Sequence, residues 1–373
     1  MNYELVVTNE ALKAVCERAS AFEQVALDTE FVRTRTYYPQ LGLIQLYDGE
    51  NISLIDPLTI TDWQPFKTLL HAENVLKFLH AGSEDLEVFL NTFGILPEPL
   101  IDSQVLAAFT GRPLSSGFAA LVNDYLHVEL DKSESRTDWI ARPLSEKQCD
   151  YAAADVLYLL PLAKMLLKEC EEGGWLAAAK NECDMLCRRR RITHKPELAY
   201  KEITNAWQLR PRQLSCLQLL AQWRLNKARE RDLAVNFVVR EENLWQVARY
   251  MPGSLGELDK LGLSGPEIRY HGKTLLALVA EAQEIPDDAL LPTINRLVDY
   301  PGYKKAFKEV KALIQEASET SGLNSELLAS RRQINQLLQW HWEPEQIVAI
   351  PELLSGWREE LFGEKLKTAL NDA

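Results

Sequence analysis

The stretch Val25-Ala-Leu-Asp-Thr-Glu-Phe-Val32 sets two acids inside a run of strand-forming residues, and it constrains the fold of this chain more than any other segment. Side chains on a strand alternate between faces, so Asp28 and Glu30, two apart, point the same way. Burying two adjacent carboxylates is costly unless a cation neutralises them. The segment is therefore either an edge strand whose acids face water or one wall of a metal site, and the pair alone leaves both open.

The neighbouring sequence supplies a sheet for it. LGLIQLYD (41–48) reads as a second strand ended by the turn pair Asp48-Gly49, and SLIDP (53–57) as a third. A helix is predicted from Trp63 to His71, a buried strand over 75–81, and a helix over 83–94 with Ser83 as N-cap and Gly94 beyond its end. A short strand enters a helix over 100–109, and 143–170 reads as helical, opened by Ser145. Three meandering strands followed by strand–helix alternation predict an α/β unit with a mixed sheet flanked by helices.

Strand signals fade after Trp207. Residues 211–232 carry Leu214, Leu217 and Leu220 at helical spacing, with Pro211 suited to a first turn, and shorter helices follow at 244–253 and 271–283. Beyond a Pro-rich joint at 284–293, the segments 304–317 and 326–340 echo the long helix and its successor, which suggests two copies of one small helical module. A chain of 373 residues exceeds one ordinary core. These shifts divide it into an α/β domain over 1–175, a connector over 176–206, and helical modules over 207–288 and 289–373.

The net charge of −13 speaks, by itself, against a polyanionic partner, but its distribution does not. Residues 1–187 hold 14 basic and 29 acidic side chains, 188–280 hold 17 and 9, and 281–373 hold 10 and 16. The basic middle, with Arg188 to Arg191 at its start, is a candidate phosphate-binding surface, or else a solvated helix end. On 224–232, Arg224, Lys227 and Arg231 share a helical face, and Tyr250, Tyr270 and His271 are available for stacking on bases, or are simply core. The opening MNYELVVTNEAL lacks a signal peptide's basic start and apolar run, and no apolar stretch is long enough to span a bilayer, so a cytoplasmic location is expected. The six cysteines form no disulfide framework or zinc spacing and read as reduced thiols.

Two further acidic positions join Asp28 and Glu30. Asp85 falls in the first turn of a helix directly after a strand, where unpaired backbone N–H groups favour an anion, although Glu84 and Glu87 are equally placed. Tyr151 and Asp155, four apart, share one face of a helix, with three alanines between them leaving room for close approach. A phenol beside a carboxylate either orients a water next to a metal ligand or makes an ordinary buried hydrogen bond.

The segments LDTEF (27–31), HAGSEDLEVF (80–89) and YAAADVLYLLPL (151–162), in that order, resemble the three exonuclease motifs of the DEDD superfamily in its tyrosine-containing branch. TYYPQLGLIQLYD (36–48) and DKSESRTDWIARPLSEKQCDYAAADV (131–156) are similar to the bacterial ribonuclease D family, and the helical tail resembles HRDC domains. The resemblance implies an RNase H-like exonuclease domain followed by two HRDC-type domains. It implies a 3′-5′ exoribonuclease that releases mononucleotides and trims 3′ extensions of tRNA precursors. A monomer is expected, since nothing in the sequence demands an oligomer. Asp28, Glu30, Asp85 and Asp155 would hold two divalent cations, Mg²⁺ or Mn²⁺, which oxygen ligands suit. Asp28 would bridge the pair and Tyr151 would position the attacking water. Arg33, Arg35, Lys132 and Arg136 would lie near phosphates, and Arg224, Lys227, Arg231 and Tyr270 would bind RNA. The motifs barely separate this from a DNA 3′-5′ exonuclease, which the tail disfavours. A non-catalytic RNA-binding scaffold is disfavoured by the presence of all five site residues.

Overall fold

A computed structural model of the chain describes residues 1–131, 133–134, 136–343 and 349–371. Six strands form one sheet: β1 (Glu4–Val6), β2 (Gln24–Val32), β3 (Gln40–Tyr47), β4 (Ile52–Ile55), β5 (Leu76–Leu79) and β6 (Leu100–Asp102), in the order β1-β4-β3-β2-β5-β6. β3 runs antiparallel to β2 and β4, while the β1–β4, β2–β5 and β5–β6 pairs are parallel, giving the expected mixed sheet. The Asp48-Gly49 turn joins β3 to β4; Asp48 accepts the Glu50 and Asn51 N–H groups, and Gly49 sits at φ +102.

Around the sheet lie α1 (Asn9–Ala19), α2 (Gln64–Leu70), α3 (Ser83–Phe93), α4 (Ser103–Phe109), α5 (Phe118–Leu126), α6 (Glu146–Glu172) and α7 (Leu176–Arg191). Val25 and Leu27 of β2 and Ile44 and Leu46 of β3 enter a core with Leu12, Phe66 and Phe89 of α1, α2 and α3. The opposite sheet face packs against α6. α6 opens with a capping box in which Ser145 and Gln148 satisfy each other's backbone N–H groups. α3 departs from expectation at its start: Gly82, not Ser83, is the N-cap, no side chain caps the helix, and Asp102 of β6 accepts the Ala81 and Gly82 N–H groups.

The tail is all helical, as predicted: α8 (Pro211–Arg231), α9 (Val235–Val238), α10 (Glu241–Tyr250), α11 (Leu255–Lys260), α12 (Gly265–Glu284), α13 (Tyr303–Ser321), α14 (Ser325–Leu328), α15 (Arg331–Trp342), α16 (Gly356–Arg358) and α17 (Glu364–Asn371). The suspected echo is visible as long helix, single turn and second helix in α8–α9–α10 and again in α13–α14–α15. No described helix is long and apolar enough to cross a membrane.

The chain forms two compact units. One comprises Met1–Val32, Gln40–Arg191 and Tyr300 onward; the other comprises Arg33–Pro39 and Ile192–Asp299. The first therefore includes the last helical module, which meets α7 through buried charge. Arg358, 4% exposed, donates to Glu182 and to the Leu327 and Leu328 carbonyls, and the Trp357 indole N–H donates to Glu182 at 2.9 Å. Arg189 reaches Glu352 at 2.6 Å. In the second unit α8, α10 and α12 share a core built on Leu217, Leu220, Leu244 and Leu275. Asp232, in the left-handed region at the end of α8, accepts the Tyr37 and Tyr38 N–H groups at 3.0 and 2.9 Å. All six cysteines are buried free thiols.

Candidate active site

β2 lies between β3 and β5, so it is not an edge strand, and its two acids point toward α6 rather than to bulk water. α6 brings Asp155 over them. One oxygen from each of Asp28, Glu30 and Asp155 lies within 4.8 Å of the others. Among the described residues none of the three has a lysine or arginine partner. Buried Ala152 and Ala153 provide the small profile that lets this stretch of α6 sit close over the sheet.

Burial resolves the choice at the start of α3. Asp85 is buried and takes a hydrogen bond from the Thr29 hydroxyl, whereas Glu84 is exposed and Glu87 pairs with Arg190 at 2.9 Å. Asp85 stands just outside the tight trio, linked to it through Thr29, which lies between Asp28 and Glu30. Tyr151 hydrogen-bonds Asp155 one turn along α6. A cavity of about 230 Å³ opens at this point, lined by Asp28, His80, Phe118, Leu130, Tyr151 and Asp155.

The electrostatics follow from crowding acids where water is excluded. Burial, and then the charges of Asp85, Asp155 and Glu30, hold the Asp28 carboxyl well above the usual range. Burial followed by Asp155 and Asp85 lifts Glu30 to about 9. Burial lifts Asp155 to about 7 against the Tyr151 hydrogen bond, and Asp85 to about 6 against the Thr29 hydroxyl. Burial and the nearby carboxylates also push the Tyr151 phenol upward, so it stays protonated at neutral pH. Such an all-oxygen, acid-only donor set fits a hard divalent cation. Three side chains at or beside it also keep buried polar atoms without partners among the described residues: Gln45, opposite Asp28 on β3; Trp139, whose ring packs 6.1 Å from that of Tyr151; and His80, through its Nε2.

The loop before α6 holds functional scaffolding that sequence reasoning did not single out. Arg142 donates to Asp56 at 2.6 and 2.8 Å, to the Gly42 carbonyl at 2.6 Å and to the Trp139 carbonyl at 2.8 Å. These bonds seat Trp139, and through it Tyr151, against the sheet. Gly42 is the extra residue where the β2–β3 register shifts, and a Cβ there would lie 2.6 Å from the Trp139 carbonyl oxygen. Asp56 and Gly42 lie 86 and 100 residues from Arg142 in sequence, so only the fold reveals these two partners.

Several expected phosphate contacts are corrected. Arg224 is 7% exposed and turns inward to the Val239 carbonyl, so it does not share a solvent face with Lys227 and Arg231. Of the run 188–191, three arginines serve as internal staples, Arg189 to Glu352, Arg190 to Glu87 and Arg191 to Glu98. Lys132 lies outside the described residues; Arg136 is exposed, Arg33 donates to the Tyr37 carbonyl, and Arg35 lies over the Phe237 ring. Tyr270 is 72% exposed and Tyr250 61%, so neither is core.

Residues 3–171 match the 3′-5′ exonuclease domain family, 213–279 the HRDC domain, and 301–366 the ribonuclease D C-terminal HRDC domain. The chain is 70% identical over 370 residues to the ribonuclease D of Serratia proteamaculans, covering 99% of each. It is 65% identical over 372 residues to that of Escherichia coli K12, covering 100% of this chain and 99% of the relative. The crystal structure of Escherichia coli RNase D, described as an exoribonuclease involved in structured RNA processing, superimposes with a TM-score of 0.98, covering 100% of this chain and 99% of that one.

Proposed function

This chain belongs to the ribonuclease D family of 3′-5′ exoribonucleases, and from that premise we propose that it trims the 3′ extensions of tRNA precursors at a site made by Asp28, Glu30, Asp85, Tyr151 and Asp155. Metal dependence and an RNA substrate come with the family. The observation that carries the site assignment is the trio of carboxylates within 4.8 Å of one another, with no lysine or arginine partner among the described residues.

Asp28, Glu30 and Asp155 would hold one Mg²⁺ or Mn²⁺, with Asp28 shared toward a second held with Asp85. When bound, the ions polarise the phosphodiester and make water a better nucleophile near neutral pH. The protein's own groups do the rest. Tyr151, kept protonated, donates to Asp155 and leaves its oxygen lone pairs to accept a hydrogen bond from the attacking water. Attack of that water on phosphorus breaks the bond to the 3′ oxygen of the preceding nucleotide. The 3′ oxygen takes up a proton, the last nucleotide leaves as a 5′-monophosphate, and a new 3′-hydroxyl remains. Phe118 and Leu130 add apolar surface to the lining of the cavity.

RNA would also be held by the second unit. Lys227 lies close enough to His271 to depress its pKa, after burial, and the His271 ring lies 6.4 Å from that of Tyr270. With Arg231 one turn beyond Lys227 and 66% exposed, these form a patch with both charge and a stacking platform. We read the working form as a cytoplasmic monomer. The test incubates the chain with 3′-extended tRNA and with single-stranded DNA, in Mg²⁺ or EDTA. Metal-dependent release of mononucleotides from the tRNA, lost in Asp155→Asn, is expected; faster release from DNA, or wild-type rates in Asp155→Asn, overturns the reading.

A further inference from the structure

We propose that Gln45 is a positioning residue for Asp28, its carboxamide N–H closing on that carboxylate when a divalent cation binds. Gln45 sits in the middle of β3 with no solvent exposure, and among the described residues neither its carboxamide nitrogen nor its carboxamide oxygen has a partner. A buried amide left unpaired is costly to the fold, and such groups in native proteins call for an explanation. Packing does not provide one. Gln45 is paired in register with Leu54 on β4, and Leu43 two residues earlier is fully buried, so an apolar side chain would suit the position better.

Register supplies the explanation. Gln45 is directly opposite Asp28 in the antiparallel β2–β3 ladder. Opposed residues point to the same face with Cβ atoms about 5 Å apart, within reach of a carboxamide and a carboxylate. That face also carries Glu30 and lies beneath α6, which brings Asp155. A carboxylate that gives one oxygen to a metal keeps lone pairs for a donor on its other side, and a glutamine N–H fills that role. A lysine or arginine there would neutralise the acid and repel the ion. The amide adds a donor without adding charge.

The inference rests on Asp28 being a metal ligand, and the experiment separates the two. Mn²⁺ affinity is measured by calorimetric titration of the full chain, alongside the thermal midpoint in EDTA, for wild type, Gln45→Met, Leu54→Ala and Asp28→Asn. Gln45→Met, which removes the amide at similar volume, should keep or raise the EDTA midpoint while weakening Mn²⁺ binding about 10–100-fold. Leu54→Ala should lower the midpoint and leave Mn²⁺ affinity near wild type. Wild-type affinity in Gln45→Met overturns the role of Gln45. So does a loss in Gln45→Met that Leu54→Ala reproduces, since packing then accounts for it. If Asp28→Asn itself binds Mn²⁺ like wild type, the reading of Asp28 as a ligand fails instead.

Discussion

Two groups of acids in the same compact unit are treated in opposite ways. Where the last helical module meets α7, Glu182 is met by Arg358, and Glu352 by Arg189 with Arg332 nearby. Burial works against ionisation of Glu352, but the Arg189 hydrogen bond and charge outweigh it and hold the carboxyl below its usual range. Beneath α6, Asp28, Glu30 and Asp155 are half-buried, among the described residues no lysine or arginine pairs with them, and all three are pushed upward. Burial therefore does not by itself decide which way a carboxyl's pKa moves. What distinguishes the two groups is whether the chain supplies the counter-charge or leaves it to come from solution.

The comparison breaks most visibly if single acids are neutralised on each side. Asp28→Asn or Asp155→Asn should cut exonuclease activity at least about 10³-fold, since a lost ligand removes several kcal/mol of charge stabilisation. In EDTA the same variants should melt no lower than wild type, because repulsion is relieved. Arg358→Met has the reverse signature. Leaving Glu182 buried without its partner should cost about 3–5 kcal/mol in denaturant unfolding, while activity per folded molecule is unchanged. Adding Glu182→Gln should recover much of that loss. Tyr151→Phe sharpens the picture within the site: kcat should fall about 10²-fold at saturating metal, with Mn²⁺ affinity unaltered. A loss of affinity equal to the loss of kcat would make Tyr151 part of the metal-binding set rather than a positioner of water.

How much of this was readable beforehand depended on whether the signal was local. Asp28 with Glu30, and Tyr151 with Asp155, were legible because strand and helix periodicity put each pair on one face. The strands β2 to β6 and the helices α2, α3, α4, α6 and α8 lay where turn and capping residues predicted them. Asp85 was not separable from Glu84 and Glu87, because the difference is burial and a hydroxyl from β2, neither of which spacing encodes. Arg224 misled for a similar reason. It lies at helical spacing with Lys227 and Arg231, but helix α8 turns it toward the Val239 carbonyl. The arginine run at 188–191 looked like a phosphate surface because its acidic partners, Glu87, Glu98 and Glu352, are about 90 or more residues away. Gln45 carried no signal at all: a glutamine in a strand is ordinary until its register with Asp28 and its lack of partners are seen.

The smallest expected effect tests the comparison through pH. Unfolded, a glutamate or aspartate titrates near about 4. In the folded, metal-free chain Asp155 is raised to about 7 and Glu30 to about 9. Between those values the folded state keeps protons that the unfolded state has released, so its stability falls as pH rises. The EDTA midpoint should therefore drop between pH 5 and pH 9, and Glu30→Gln should flatten that drop. Glu352 has the opposite sign: its contribution is present above its unfolded pKa and is lost as pH falls through its lowered folded one. Glu352→Gln should thus alter only the acid side of the profile. Adding Mn²⁺ should raise the midpoint most at high pH, because binding must expel the protons the acids hold. A Glu30→Gln profile parallel to wild type across pH 5–9 would mean that the site acids carry no proton in the metal-free protein, and the contrast between the two acid groups would then rest on geometry alone.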